Sequence, residues 1–207
     1  NALRDYLTFQ FCLGGKTLFE GINELAAGHL LVVEGGSVTV RKYWDIDFVI
    51  DEDSSEAELD RRLEELLVES TDLHLRADVP VGGYVSGGLD SSLVAALASE
   101  QHDAEVMGFV GKFTDSPEFD ESHHARSVAE HCGFTLIERD IVEQDFLDNA
   151  RAVIRHLDYP LAGPGAFPQY MISQTAAEHR KVVLGGQGGD ELFGGYVRYL
   201  VAYFEAA

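Results

Sequence analysis

The chain has 207 residues, and its 36 acidic against 15 basic side chains give a formal net charge of −21 at pH 7. Hydrophobic residues make up 45%, near the globular norm, so the charge belongs to a sequence that can bury a core and not to a disordered acidic tail. No run approaches the roughly 20 unbroken apolar residues of a membrane span, and no basic-then-apolar leader opens the chain, which predicts a soluble, unsecreted, cytoplasmic protein with no membrane partner.

Lysine is scarce: Lys16, Lys42, Lys112 and Lys181 stand against eleven arginines. Dispersed acid with little lysine is how halophilic proteins stay hydrated at molar salt, where the Debye length falls to roughly 3 Å. A salt-loving source is predicted. No lysine or arginine cluster exists to displace phosphate counterions, so nucleic-acid binding is disfavoured and a small-molecule partner is expected. Cys12 and Cys132 lack CxxC or metal spacing and are expected to be small buried groups. The eight histidines show no HExxH pattern.

In chain order, residues 1–50 read as a separate segment. The start at Asn1 without Met predicts an excised piece. Two β-rich runs, Leu30 to Val33 and Val38 to Trp44, flank Glu34-Gly35-Gly36-Ser37, which predicts a hairpin. From Asp51 an amphipathic helix is predicted, capped by Ser54 or Ser55, with Leu59, Leu63, Leu66, Leu67 and Leu73 at helical spacing. Short apolar runs then alternate with helical patterns: Val79 to Val85 then Ser91 to Ser99, Val106 to Phe113 then Ser122 to Cys132, Phe134 to Ile141 then Phe146 to Leu157. A connection over Pro160 to Pro168 leads to a helix near Gln169 to His179, the strand Lys181 to Leu184 and a helix from about Asp190. This α/β order predicts a doubly wound parallel sheet of about five strands over residues 51–207, with ligands beyond the carboxyl ends of the strands. Tyr196, Tyr199, Tyr203 and Phe204 recur at helical spacing and are expected in the core.

Two loops carry the chemistry. Ser86-Gly87-Gly88-Leu89-Asp90-Ser91-Ser92 lies between a strand and a helix. Its glycines let backbone approach an anion, the helix start attracts negative charge, and the serines donate. The lysine of a Walker loop is missing, so γ-phosphate transfer of that kind is not indicated. Asp90 inside such a turn would be repelled by phosphate unless a cation lay between, which implies magnesium. A capped helix start alone accounts for Ser and Asp there but not for the whole set. The second loop, Gly185-Gly186-Gln187-Gly188-Gly189-Asp190-Glu191-Leu192-Phe193-Gly194-Gly195-Tyr196, follows Val182-Val183-Leu184 and holds six glycines. Backbone so stripped of side chains lets a flat or phosphorylated ligand lie close.

Together these loops resemble the synthetase domain of glutamine-hydrolysing asparagine synthetase, in the ATP-pyrophosphatase (PP-loop) superfamily. Leu3 to Leu7, Thr17 to Ile22, Gly28-His29 and Tyr43-Trp44-Asp45 resemble the family's link between glutaminase and synthetase, so the resemblance covers essentially the whole chain. It implies a ligase that uses ATP and Mg²⁺: the aspartate side-chain carboxylate attacks the α-phosphate, and ammonia attacks the resulting β-aspartyl-AMP. By position, Ser86, Gly87, Gly88, Asp90, Ser91 and Ser92 would cradle pyrophosphate. Asp90 and Asp190 would hold Mg²⁺, and Val85, Gly111, Gly185 and Gly186 would border adenosine. Ammonia would come from a glutaminase domain of the same parent chain, and a homodimer is compatible with the resemblance. Rival readings are an adenylating synthetase for another carboxylate and an ATP-binding module without catalysis.

Two departures stand out. Many family members carry glutamate, taken as a base for the ammonia step, where this chain has Gln187, and glutamine cannot take a proton. Glu191 or Asp158 substitutes, or ammonia attack is slow, or the acceptor differs. The chain also ends at Ala207 inside an apparent helix, without the family's later phosphate-contacting lysine and without the glutaminase cysteine, so this segment is expected not to release ammonia from glutamine. Lys112 at a strand end is read either as a phosphate contact or as a solvated surface lysine.

Overall fold

The computed structural model describes all residues except 48, 102–105, 159–162, 164 and 207, and for 206 its backbone alone. A helix, α1 (Ala2–Phe9), precedes the hairpin of β1 (His29–Glu34) and β2 (Ser37–Lys42). The two strands pair antiparallel from His29↔Lys42 to Glu34↔Ser37, which leaves Gly35 and Gly36 as a two-residue turn. Both have positive φ, the requirement of the turn that matches strand twist. This hairpin is a sheet of its own.

Next come α2 (Glu56–Leu75), β3 (Val81–Tyr84), α3 (Leu89–Gln101), β4 (Met107–Lys112), α4 (Ser122–Cys132), β5 (Thr135–Asp140), α5 (Glu143–Leu157), α6 (Ala166–His179), β6 (Val182–Leu184), α7 (Gly189–Phe193) and α8 (Val197–Ala206). The second sheet has the order β5-β4-β3-β6, with every neighbouring pair parallel. It holds four strands among the described residues, against about five expected, and the expected connection Pro160 to Pro168 lies in part outside the described residues. Strand order reverses between β3 and β6, so their loops open on the crevice where ligands of such folds sit.

Helices cover both faces. Along β4, Phe109 and Val110 point in opposite directions, as pleating demands. Val110 joins Val85, Ala95 and Ala125 beneath α3 and α4. Phe109 packs with Ile172 and Ala176 of α6, and Ile141, Val153, Phe167 and Met171 extend that second layer to α5. Phe109 and Met171 are each only 1% exposed, and each large side chain so buried contributes roughly 1.5–3 kcal/mol.

The outer helices differ from expectation. Ser55 caps α2 by accepting from the Glu58 N–H at 3.3 Å, but Leu59, Leu63, Leu66 and Leu73 stay exposed. On α8, Tyr199, Tyr203 and Phe204 are exposed as well, so the aromatic spacing marks a helix face and not core. Cys12 and Cys132 are half-buried and unpaired with each other.

Candidate active site

The first glycine loop grows directly out of the sheet. Val85 donates to the Phe109 carbonyl at 3.0 Å, extending the ladder one residue past β3, after which the chain turns into α3. Gly87 sits at φ +88°, and a Cβ there would lie 2.5 Å from Cβ of His124 and 2.8 Å from the Ala125 nitrogen. Only glycine combines that dihedral with such contact. The helix starts earlier than the sequence pattern indicates, so Asp90, Ser91 and Ser92 all lie in its first turn.

The serines brace this turn. Ser91 Oγ accepts from the Ser86 N–H at 3.1 Å and donates to the Gly88 carbonyl at 3.2 Å, and the hydroxyls of Ser86 and Ser91 are 2.8 Å apart. The Gly88 N–H donates to Ser86 Oγ at 3.3 Å. Ser92 Oγ is buried with no hydrogen-bond partner among the described residues. Such a group costs roughly 1–3 kcal/mol when left unpaired, and a phosphate oxygen is a partner of the right chemistry.

The second loop lies against the first. A Cβ on Gly186 would meet the Ser91 nitrogen at 2.5 Å and Cβ of Asp90 at 2.8 Å, and one on Gly189 would meet the Asp90 carboxylate carbon at 2.5 Å. Glycine is required by this backbone approach. Gly185 makes room for the folded-back amide of Gln187, and the Asp190 carboxylate turns onto Gly195. The Asp90 carboxylate therefore abuts the residue preceding Asp190. Among the described residues no group of three or more His, Cys, Asp and Glu gathers to hold a metal. Magnesium is usually bound by one or two carboxylates with phosphate oxygens and water completing the shell; Asp90 presents one such carboxylate against Gly189, while that of Asp190 is turned onto Gly195.

A family model of asparagine synthase matches residues 62–206, well over half of the chain. The chain belongs to the asparagine synthase family. The glutamine-hydrolyzing asparagine synthetase 1 of Bacillus subtilis is 32% identical over 199 residues, covering 96% of this chain and 31% of that protein. Asparagine synthetase B of Escherichia coli is 33% identical over 197 residues, 86% of this chain and 34% of that protein. The chain thus spans about a third of the length of these relatives. The amidase chyE of Penicillium rubens is 28% identical over 87% of this chain and 30% of that protein. Among solved structures, a glutamine-dependent NAD+ synthetase from Acinetobacter baumannii aligns with a TM-score of 0.47 at 19% identity, over 72% of this chain and 29% of that one.

Within this asparagine synthase chain, a cavity of about 220 Å³ opens at the ends of β3 and β4, lined in part by Val85, Ser86, Gly111, Phe113, Phe119 and Gln169. Val85 and Gly111 are thereby brought together. Gly185 and Gly186 do not line this cavity; they lie on the side of the loop that faces Gln187 and the start of α3. Glu191 accepts a hydrogen bond from the Tyr196 hydroxyl at 2.8 Å, which holds its carboxyl below the usual range. Asp158, at φ 62°, lines a different cavity of about 690 Å³ with Lys16, Phe11 and Leu157. Lys112 is half-buried and pairs with Glu138 at 3.5 Å beside Arg126.

Phe119 and Gln169 line this cavity, and sequence reasoning does not single them out. The helix α6 carries Gln169 to the sheet only because Ile172 and Ala176 pack on Phe109. No local pattern announces that meeting.

Proposed function

We propose that this chain is the ATP-using unit of an enzyme that amidates the side-chain carboxylate of aspartate. A carboxylate oxygen attacks the α-phosphorus, the bond from that phosphorus to the bridging oxygen breaks, and pyrophosphate leaves. The β-aspartyl-AMP so formed is attacked at its acyl carbon by ammonia. The carbon–oxygen bond to AMP breaks, the nitrogen loses a proton, and asparagine and AMP are released. The observation that carries this reading is the seating of Gly186 and Gly189 directly on Asp90 and Ser91, which makes one anion-binding surface out of two loops at the switch in strand order.

Ser86, Gly87, Gly88, Ser91 and Ser92 hold the pyrophosphate in this reading, through N–H groups at the start of α3 and the hydroxyl of Ser92. Val85 and Gly111 border the adenosine, and Gly185 and Gly186 keep the second loop close to it. Asp90 and Asp190 would hold Mg²⁺, which supplies neutralisation of the phosphate charge. The residues contribute mostly positioning and charge complementarity at the α-phosphate.

Gln187, whose amide folds back against Gly185, cannot accept a proton. Glu191 is engaged by Tyr196 and Asp158 faces another cavity, so neither substitutes, and the ammonia step is slow. A Gln187→Glu variant is expected to raise amidation about tenfold or more, within the usual range for a general base, with ATP binding unchanged. Ammonia reaches the site from a glutaminase unit, the chain works in the cytoplasm, and the acidic, lysine-poor surface makes molar salt its working medium.

Isotope transfer tests the adenylate directly. With ¹⁸O in the side-chain carboxylate of aspartate, one labelled oxygen is expected in AMP. Asparagine formation without label in AMP would overturn the adenylate, and labelled AMP from another carboxylate but not from aspartate would move the assignment to that acid.

A further inference from the structure

The cavity of about 220 Å³ at the ends of β3 and β4 is small beside the roughly 300–1,000 Å³ of drug-sized ligand sites. Its walls include Phe109, Phe113, Phe119 and Ile172, with Ser86 of the phosphate loop, Tyr84, the exposed Glu121 and Gln169 of α6 as the polar side chains of its lining. A cavity of this size with an aromatic lining suits one planar ring.

The hydrogen bonds around Ser173 decide which way that amide faces. Ser173 Oγ lies 2.6 Å from the Gln169 carbonyl oxygen, and a carbonyl can only accept, so the single hydroxyl proton of Ser173 is committed there. The Tyr84 hydroxyl, 2.8 Å from the same Oγ, therefore donates to it, and the Gln169 Nε2 donates to it at 3.5 Å. Turning the amide over would set Oε1 against an oxygen with no proton left to give. Tyr84 and Ser173 thus fix the amide with Nε2 turned inward, and Oε1 has no partner among the described residues.

We propose that Gln169 reads the purine edge, its Oε1 accepting from the exocyclic 6-amino group of adenine and opposing the 6-oxo group of hypoxanthine or guanine. This rests on the reading of the site as an ATP site and adds the residue that discriminates between bases. An acceptor facing an acceptor leaves two desolvated oxygens unpaired, and such sites reject the wrong partner more strongly than they reward the right one.

The test is equilibrium binding of Mg-ATP and Mg-ITP to the full-length protein in molar KCl, for wild type and for Gln169→Leu, Gln169→Glu and Ser173→Ala. Wild type is expected to prefer ATP by about tenfold or more, the size of one hydrogen bond lost to an opposed acceptor. Gln169→Leu should bring the ratio close to one. Gln169→Glu, still an acceptor, should keep it. Ser173→Ala frees the amide to turn and should raise ITP affinity towards that of ATP. An unchanged ratio in Gln169→Leu overturns the proposal while leaving the ATP site intact. Failure of wild type to bind either nucleotide would instead overturn the ATP reading, and this assignment with it.

Discussion

The two faces of the parallel sheet and the outer helices α2 and α8 are written with the same apolar residues, yet they end in opposite surroundings. Phe109 and Met171 are each 1% exposed, whereas Leu66 is 52% and Phe204 67% exposed. Hydrophobic periodicity records that a helix has a face. It does not record whether this chain brings anything to cover it, because cover is a property of packing partners. Stability should therefore concentrate in the sheet and its inner helices, and so should the site built on the sheet's carboxyl ends.

The largest expected effect sits at the centre of the covered region. Phe109→Ala removes a ring packed against Ile172 and Ala176 and should cost about 3–5 kcal/mol, read as a lowered urea midpoint. A loss below 1 kcal/mol would break the contrast. Gly186→Ala comes next, since its Cβ would meet the Ser91 nitrogen and Asp90 and neither can yield without moving α3. It should cost about 1–3 kcal/mol by overpacking and lower ATP affinity more than tenfold in direct binding. Unaltered affinity would mean that the loops do not work as one surface.

A smaller effect depends on pH. Arg126 donates to both carboxylate oxygens of Glu138, and Lys112 lies beside them. Hydrogen bonding from Arg126 first, and the nearby cations after it, hold the Glu138 carboxyl below its ordinary value of 4.5. A depressed folded pKa means that this stabilisation is complete above the unfolded value and fades as pH falls through the folded one. Glu138→Gln should cost about 1 kcal/mol at pH 7, discounted because Arg126 is half-exposed, and less at pH 3, below the ordinary carboxylate value. Unfolding at both pH values checks this, and an equal loss at each would contradict it. Smallest of all, Leu66→Ser on the uncovered face of α2 should shift the chain's stability by no more than about 0.5 kcal/mol, by the same urea titration.

Much of the fold is legible in the residues. The helix Ser122 to Cys132 is bounded as its pattern indicates, with Gly133 at φ 74° closing it. The turn of the hairpin follows from Gly35-Gly36. Other boundaries move for identifiable reasons. Helix α3 begins at Leu89 because the glycine turn is shorter than it reads, and α6 begins at Ala166 because Pro168 is tolerated in a first turn where the missing N–H has no helical partner to lose. The two glycine loops announce themselves through glycine and serine at strand ends. Their mutual contact does not, since it depends on β6 lying beside β3. Gln169 is illegible for the same reason: its surroundings include Tyr84 and Ser173, and Tyr84 meets α6 only because that helix packs on the same face of the sheet.

The most direct measurement is pyrophosphate release from Mg-ATP by the full-length protein in molar KCl with ammonium present, with and without aspartate. The account predicts release that requires aspartate, accompanied by AMP in equal amount and abolished by Asp90→Asn. ATP binding with no aspartate-dependent release would contradict it.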